Sequence, residues 1–202
     1  MRLFVAVDLD GRARAVAIRN APALAARFDL DDEPAPLRWI ALERLHCTLL
    51  FLGEMSDRQA ALVCRAFRTP WETHTFEASL AVVGLFFFSG SARIVWLGVY
   101  DGLDGMVALK IELDRRLAPV AFKSGTKLFR VHLTLWRVRL NAAITGLVLR
   151  SVLGGYRPET ARWVVGRVTL YESRLSFRSA TYHVVEPAML PSTRESHWRT
   201  SS

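Results

Sequence analysis

The chain has 202 residues, a formal net charge of +8 and a hydrophobic content of 51%. That is ample apolar material for one large domain or two closely packed lobes, and no run reaches the ~18 uninterrupted apolar residues of a membrane-spanning helix. Of the 27 basic residues 24 are arginine, whose planar fork grips phosphate in two places; this suits a nucleic-acid partner, although codon bias gives the same composition.

The opening MRLFVAVDLD alternates Leu3, Val5, Val7 and Leu9 with Arg2, Ala6 and Asp8, the period of a strand. The acid at Asp8 comes too early for the apolar region of a signal peptide, so a cytoplasmic protein is expected. Residues 12–28 read as a helix that Pro22 should kink or restart. An acidic, proline-bearing loop, DLDDEPAPL, covers 29–37. Residues 46–52 form a second strand stopped by Gly53. Ser56 and Gln59 then have capping-box spacing, ahead of a helix whose apolar face is Leu62, Val63, Ala66 and Phe67.

Phe76, Ala78, Leu80 and Val82 alternate with polar residues as a half-buried strand, and Ser89-Gly90-Ser91 reads as a turn before a returning strand over 93–99. Asp101 or Asp104 is expected to cap a helix carrying Leu103, Val107, Leu113 and Leu117, ended by Pro119. A strand over 129–138 follows, then a short helix from Asn141 to Gly154-Gly155, then strands over 161–172 and 181–186. From Pro187 the chain is rich in serine, threonine and arginine, and a disordered tail is expected over 187–202, leaving 1–186 as the folded domain. Cys47 and Cys64 make no disulfide framework and match no zinc spacing, so free, buried thiols are expected and no metal site.

Two of the five histidines stand in the same short phrase. His46-Cys47-Thr48-Leu49 lies in the first half of the chain and His132-Leu133-Thr134-Leu135 in the second, each on a strand followed by a helix. This is a weak internal repeat, the pattern of two similar lobes facing each other. On a strand, alternate side chains share a face. His46 and Thr48 therefore point together, with Cys47, Leu49 and Phe51 on the other, apolar side; His132 and Thr134 repeat the arrangement. If the lobes face each other, two imidazoles and two hydroxyls converge on one cleft.

Such a set suits a small anion. Hydroxyls donate to non-bridging phosphate oxygens, and one imidazole can take a proton from an attacking water or hydroxyl while the other gives one to the leaving oxygen. Two histidines in different protonation states can perform an in-line displacement at phosphorus without a metal. Arg137 is a candidate donor to the equatorial oxygens. Strict alternation puts it on the wrong face, so the strand must end or bulge near Trp136; otherwise Arg137 caps the sheet edge. Trp136 shares the parity of His132 and Thr134 and is the candidate aromatic substrate contact. His74, His183 and His197 read as structural or solvated.

The paired phrases, with FLG after the first and an arginine after the second, resemble the 2H phosphoesterase superfamily. Within it the chain is most similar to the bacterial RNA 2′,3′-cyclic phosphodiesterases, also called 2′-5′ RNA ligases. The similarity takes in MRLFVAVDL, RWIALERLHCTLLFLGE, RIVWLGV, FRVHLTLWRV and VTLYESRL. The resemblance implies an α+β, bilobal fold with two pseudo-symmetric sheets around a cleft and helices outside. It implies hydrolysis of RNA 2′,3′-cyclic phosphate ends to 2′-phosphates with no cofactor or metal, and reversible 2′-5′ ligation of tRNA halves in some members. His46 and His132 would be the catalytic pair, the first as acid toward the 3′ oxygen and the second as base toward water. Thr48 and Thr134 would hold the phosphate. A monomer is expected.

The chain departs from the family pattern in two places. Val131 stands where many relatives have proline, and Phe86-Phe87-Phe88-Ser89 replaces a phenylalanine-proline-serine loop. Those aromatics can stack a nucleobase at the cleft rim, though burial of at least two of them is expected. Two other functions fit the same residues: a module that binds RNA terminal phosphates without turnover, and a phosphodiesterase for a small cyclic nucleotide or an ADP-ribose cyclic phosphate.

Overall fold

The computed structural model describes residues 1–27, 37–41, 44–88, 91–120, 129–138, 151, 153–175 and 180–192. The elements are β1 (Arg2–Asp8), α1 (Gly11–Ala25), β2 (Leu37–Trp39), β3 (His46–Glu54), α2 (Asp57–Arg68), β4 (Phe76–Phe88), β5 (Ser91–Val99), α3 (Leu103–Leu117), β6 (His132–Val138), β7 (Ala161–Val165), β8 (Arg167–Leu175) and β9 (Ala180–Met189). The fold is α+β. Nine strands form one antiparallel sheet in the order β7-β4-β5-β6-β3-β1-β8-β9, with β2 added beside β6.

The order is a palindrome about its centre. The half β9-β8-β1-β3 and the half β7-β4-β5-β6 each end on a strand that begins with a histidine. The two inner strands meet at a single registered pair, Cys47 opposite Leu133. The pseudo-symmetric lobes are thus halves of one ladder-connected sheet. The helices lie behind it: α1 against β7, α3 against β3, and α2 against β9 and α3.

Burial explains these placements. Leu3, Val5 and Val7 of β1 are fully buried, as their alternation predicts, but Phe4 and Ala6 between them are buried too. Asp10 caps α1 by accepting from the Ala13 amide at 2.7 Å. Pro22 lies inside α1, which runs on to Ala25, so of the kink or restart expected there the restart does not occur. Ser56 and Gln59 form the reciprocal capping box of α2, and Val63 and Phe67 enter the core. The cap of α3 differs from expectation. Gly102 occupies it at φ 78°, where a Cβ would lie 2.3 Å from the Glu77 carbonyl, so only glycine fits. Asp101 instead accepts from Ser79 Oγ and Arg162. The buried face of α3 is Met106, Leu109, Leu113 and Leu117; Leu103 and Val107, one position round the helix from that stripe, are exposed.

Several bounds also move. Leu37 belongs to a short strand, β3 passes through Gly53 to Glu54, and the run 161–172 divides at Gly166 into β7 and β8. The expected tail starts too early. Pro187, Ala188 and Met189 complete β9, Leu190 is buried, and the Thr75 amide donates to the Pro191 carbonyl at 2.9 Å. Residues 193–202, the turn at 89–90, most of the loop 29–37 and most of the helix expected from Asn141 fall outside the described residues. No helix among the described residues is long and apolar enough to cross a membrane.

Candidate active site

The antiparallel pair Cys47–Leu133 fixes what lies on either side of it. Both side chains are fully buried behind the sheet. One step away in each direction, His46 faces Thr134 and Thr48 faces His132 on the opposite, cleft side. All four side chains line one cavity of about 410 Å³ at the seam of the two halves. Arg2, Arg44, Phe4, Phe51, Phe86, Ile94, Arg137 and Tyr182 are among its other walls.

The position of Arg137 follows from a bulge. Along the β5–β6 ladder Trp96 pairs with Thr134 and Val95 with Trp136, so Leu135 is an extra residue and parity reverses after it. Leu135 and Trp136 are both buried in consequence, and Arg137 swings into the cavity. The free carbonyl of Leu135 accepts from the Ile40 amide at 3.0 Å. Trp136 is therefore not a cleft residue: at 0% exposure its ring belongs to the core, and the substrate contact expected of it is corrected. The first phrase carries the same device. On β3, Thr48 pairs with Ala6 and Leu50 with Val5, leaving Leu49 extra. Leu49 and Leu50 are both buried, and Phe51, assigned by alternation to the apolar side, stands in the cavity at 68% exposure.

Both histidines are aimed by the chain just before them. His132 Nδ1 bonds the Arg130 carbonyl at 2.8 Å, which makes Nδ1 the donor and leaves Nε2 for the cavity. The His46 ring likewise hydrogen-bonds the backbone of Arg44, also two residues upstream. Each ring packs on aromatic walls: His46 on Phe4 at 5.0 Å and edge-on to Tyr182 at 5.2 Å, His132 edge-on to Phe86 at 4.6 Å. Burial pushes both imidazoles below the usual histidine range of 6.5. The Arg44 backbone, then Asp8, work against this at His46, and His132 with it; at His132 the Arg130 carbonyl opposes and Arg137 adds to it. Burial thus biases both imidazoles of the site toward the neutral form.

Sequence reasoning missed Phe4, Phe51, Tyr182, Arg2 and Arg44 as cavity walls. The charge of Arg44, two residues before the histidine, was visible, but the swing of Phe51 depends on the bulge. Burial of two of Phe86, Phe87 and Phe88 is also corrected: Phe86 is a partly exposed cavity wall, and Phe87 and Phe88 are exposed. His74 is exposed, and His183 lies exposed on β9 with Thr181 Oγ1 3.3 Å from its Nε2. His197 lies outside the described residues. Among the described residues no three His, Cys, Asp or Glu side chains gather as metal ligands would.

The sequence model of the 2′-5′ RNA ligase superfamily matches residues 15–176. An RNA 2′,3′-cyclic phosphodiesterase of Archaeoglobus fulgidus is 33% identical over 149 residues, covering 73% of this chain and 79% of the relative. One from Escherichia coli K12 is 31% identical over 139 residues, with 67% and 71% covered. Among solved structures, E. coli LigT complexed with 3′-AMP superposes with a TM-score of 0.71 at 28% identity, covering 94% of this chain and 97% of the other. LigT complexed with phosphate gives 0.68 at 28% identity, with 94% and 97% covered.

Proposed function

Since the chain belongs to the 2′-5′ RNA ligase superfamily, the 2H phosphoesterases, we propose that it hydrolyses RNA 2′,3′-cyclic phosphate ends to 2′-phosphates with His46 and His132 as its acid and base. The observation that carries this reading is the seam itself, where two imidazoles and two threonine hydroxyls line one cavity across the Cys47–Leu133 pair. The names of the curated relatives agree with it.

Nε2 of His132, free while Nδ1 is committed to the Arg130 carbonyl, takes a proton from water as that water's oxygen bonds to phosphorus. The bond from phosphorus to the 3′ oxygen breaks on the opposite side, and His46 gives that oxygen its proton. The products are a 2′-phosphate and a 3′-hydroxyl, and the two rings have exchanged protonation states, which solvent resets. Thr48 and Thr134 donate to the non-bridging oxygens, and Arg137 meets the charge that gathers there. With the 5′-hydroxyl of a second RNA end attacking the cyclic phosphate in place of water, the same groups would form a 2′-5′ phosphodiester as the 3′ oxygen leaves and takes its proton, as in joining tRNA halves; attack of that 3′-hydroxyl on the 2′-5′ linkage reverses the step. The cavity is complete within one chain, which suits a monomer, and the free Cys47 and Cys64 suit a reducing cytoplasm.

The test is an RNA ending in a 2′,3′-cyclic phosphate, incubated with purified protein and a chelator. A 2′-phosphate product supports the enzyme. Tight binding with no product would instead make the protein a terminal-phosphate binder, and turnover of mononucleotide cyclic phosphates in preference to RNA would move the substrate class.

A further inference from the structure

The two halves of the sheet place equivalent ladder partners beside their histidines and threonines, and the partners of the two histidines differ in charge. On β1, Asp8 is the ladder partner of His46, and Ala6 of Thr48. On β5, Gly98 is the ladder partner of His132, and Trp96 of Thr134. A carboxylate in one half therefore corresponds to a glycine in the other. The second half has no room for a side chain there. A Cβ on Gly98 would come within 2.7 Å of the Trp96 ring, and one on Gly84 within 2.2 Å of the same ring.

Asp8 is held in place. Tyr171 Oη donates to its Oδ1 at 2.6 Å, Thr169 Oγ1 to its Oδ2 at 3.0 Å, and Arg167 Nη2 to the same oxygen at 3.0 Å. The Tyr171 ring that makes the first of these bonds stacks on Phe4 at 5.2 Å and lies 6.3 Å from the His46 ring. The carboxylate and its tyrosine thus form the wall behind His46. From the other elements His46 is faced by Tyr182 on β9, His132 on β6 and the Arg44 segment, with Arg2 and Arg137 in the same cavity. Asp8 is the one carboxylate in this set. Around His132 the nearby formal charge is the opposite one, Arg137. An anion beside an imidazole favours its protonated form and a cation disfavours it.

We propose that Asp8 is the positioning residue that makes His46 the proton donor of the pair, so that a nearly twofold site runs in one chemical direction. This rests on the two-histidine reading above, and it extends that reading from which residues act to what divides their roles. Asp8 does not touch substrate; it acts through His46. Arg167 tempers it, because its guanidinium shares the charge of Oδ2.

Imidazole NMR titration of the free protein decides this without any turnover, with the two rings assigned by His46→Ala and His132→Ala. In Asp8→Asn the His46 midpoint should fall by about one pH unit while His132 moves far less. In Arg167→Gln, a change at a half-exposed side chain, the His46 midpoint should rise. On cyclic-phosphate RNA, Asp8→Asn should lose about tenfold in rate at pH 7 and regain it as the pH is lowered. Asp8→Glu should restore part of the neutral-pH rate. An unmoved His46 midpoint in both variants, or equal movement of both rings, overturns the assignment. If Asp8→Asn fails to fold, Arg167→Gln alone decides. If the native protein turns over no RNA while the midpoints move as stated, the substrate reading fails and the role of Asp8 stands.

Discussion

Phe51 and Arg137 occupy equivalent places in the two halves of the molecule. Each stands five residues after its histidine, each follows a single-residue bulge, and each is turned by that bulge into the shared cavity. One is an aromatic ring and the other a cation, so the cavity has an apolar stacking surface on one flank and a phosphate-gripping fork on the other. That difference suits a nucleotide, which has a base at one end and a phosphate at the other.

The two positions should therefore fail differently. Arg137→Ala removes a charged donor from oxygens that gain charge in the transition state, and kcat should fall by about 10²–10³-fold. Phe51→Ala removes a stacking face worth roughly 1–3 kcal/mol, and KM should rise at least about fivefold with kcat little changed. Steady-state kinetics on cyclic-ended RNA separates the two. A loss confined to KM in Arg137→Ala would take it off the reacting phosphate.

On the proposed mechanism His46→Ala and His132→Ala each remove one proton transfer and should each cost at least about 10²–10⁴-fold in turnover. Thr48→Val and Thr134→Val remove one neutral donor and should cost less, about tenfold to a hundredfold. Circular dichroism should show all four folded, because these side chains face the cavity rather than the core. Equal losses for threonine and histidine variants would contradict the division of labour.

The doubled phrase, the strand–helix order after the first phrase and the capping box of α2 were legible because each depends on local spacing alone. The parity of His46, Thr48, His132 and Thr134 was legible for the same reason, as they precede the bulges. Beyond Leu49 and Leu135 alternation gives the wrong face, so Phe51 was placed in the core and Trp136 in the cleft. A bulge is set by the neighbouring strand, here Val5-Ala6 and Val95-Trp96, and no local pattern on β3 or β6 announces it. The need for one at Arg137 could be inferred only from the chemistry expected of it. The Asp8–Gly98 exchange was illegible, because it appears only when β1 and β5 are laid beside their histidine strands.

The pH dependence follows from the depressed histidines. Burial lowers both imidazoles below 6.5. On the proposed two-histidine mechanism the active form needs one ring protonated and one neutral, so its population in the free protein should peak between the pair's two apparent values, on the acid side of 6.5. The kcat/KM profile on RNA should therefore be bell-shaped with its maximum on the acid side of 6.5. Substrate brings a negative phosphate between the rings and favours the imidazolium, so kcat should peak at higher pH than kcat/KM. Arg137→Ala removes a cation that lowers His132, and the acid limb should move to higher pH. A kcat/KM maximum well above 7 would contradict the burial argument.

Cys47 lies directly behind the site at the seam of the halves, and burial pushes its thiol up to about 12. In the folded protein at pH 8 it should resist alkylation, since almost no thiolate forms. Cys64 is only partly buried and should react first. Mass spectrometry of the alkylated protein checks the order. Because Cys47 pairs with Leu133, its slow labelling should follow opening of the β3–β6 seam and slow further when phosphate is bound. Rapid labelling of Cys47 in the folded protein would mean that the halves separate readily.

Glu112 provides a test of stability apart from the site. It is 4% exposed on α3 and binds the segment that leads from α2 into β4. Burial pushes its carboxyl up, but Thr73 Oγ1 at 2.7 Å, the Glu72 amide at 2.9 Å, Arg116 and the Thr73 amide at 3.0 Å outweigh it and hold the group at about 2. Arg116 in turn stacks on Trp71 at 4.5 Å and donates to the Ala66 carbonyl, so the clip joins α2, α3 and the connecting turn. The folded value lies below the ordinary 4.5, so the contribution is present above pH 4.5 and is lost as the pH falls from there toward 2. A difference of that size corresponds to about 3 kcal/mol. Glu112→Gln keeps the shape and removes the charge; it should destabilise by about 2–4 kcal/mol at pH 7 and flatten the loss of stability between pH 4.5 and 2.5. Urea unfolding across that range measures both. Equal steepness in the variant and the native protein would move the acid sensitivity to other carboxylates.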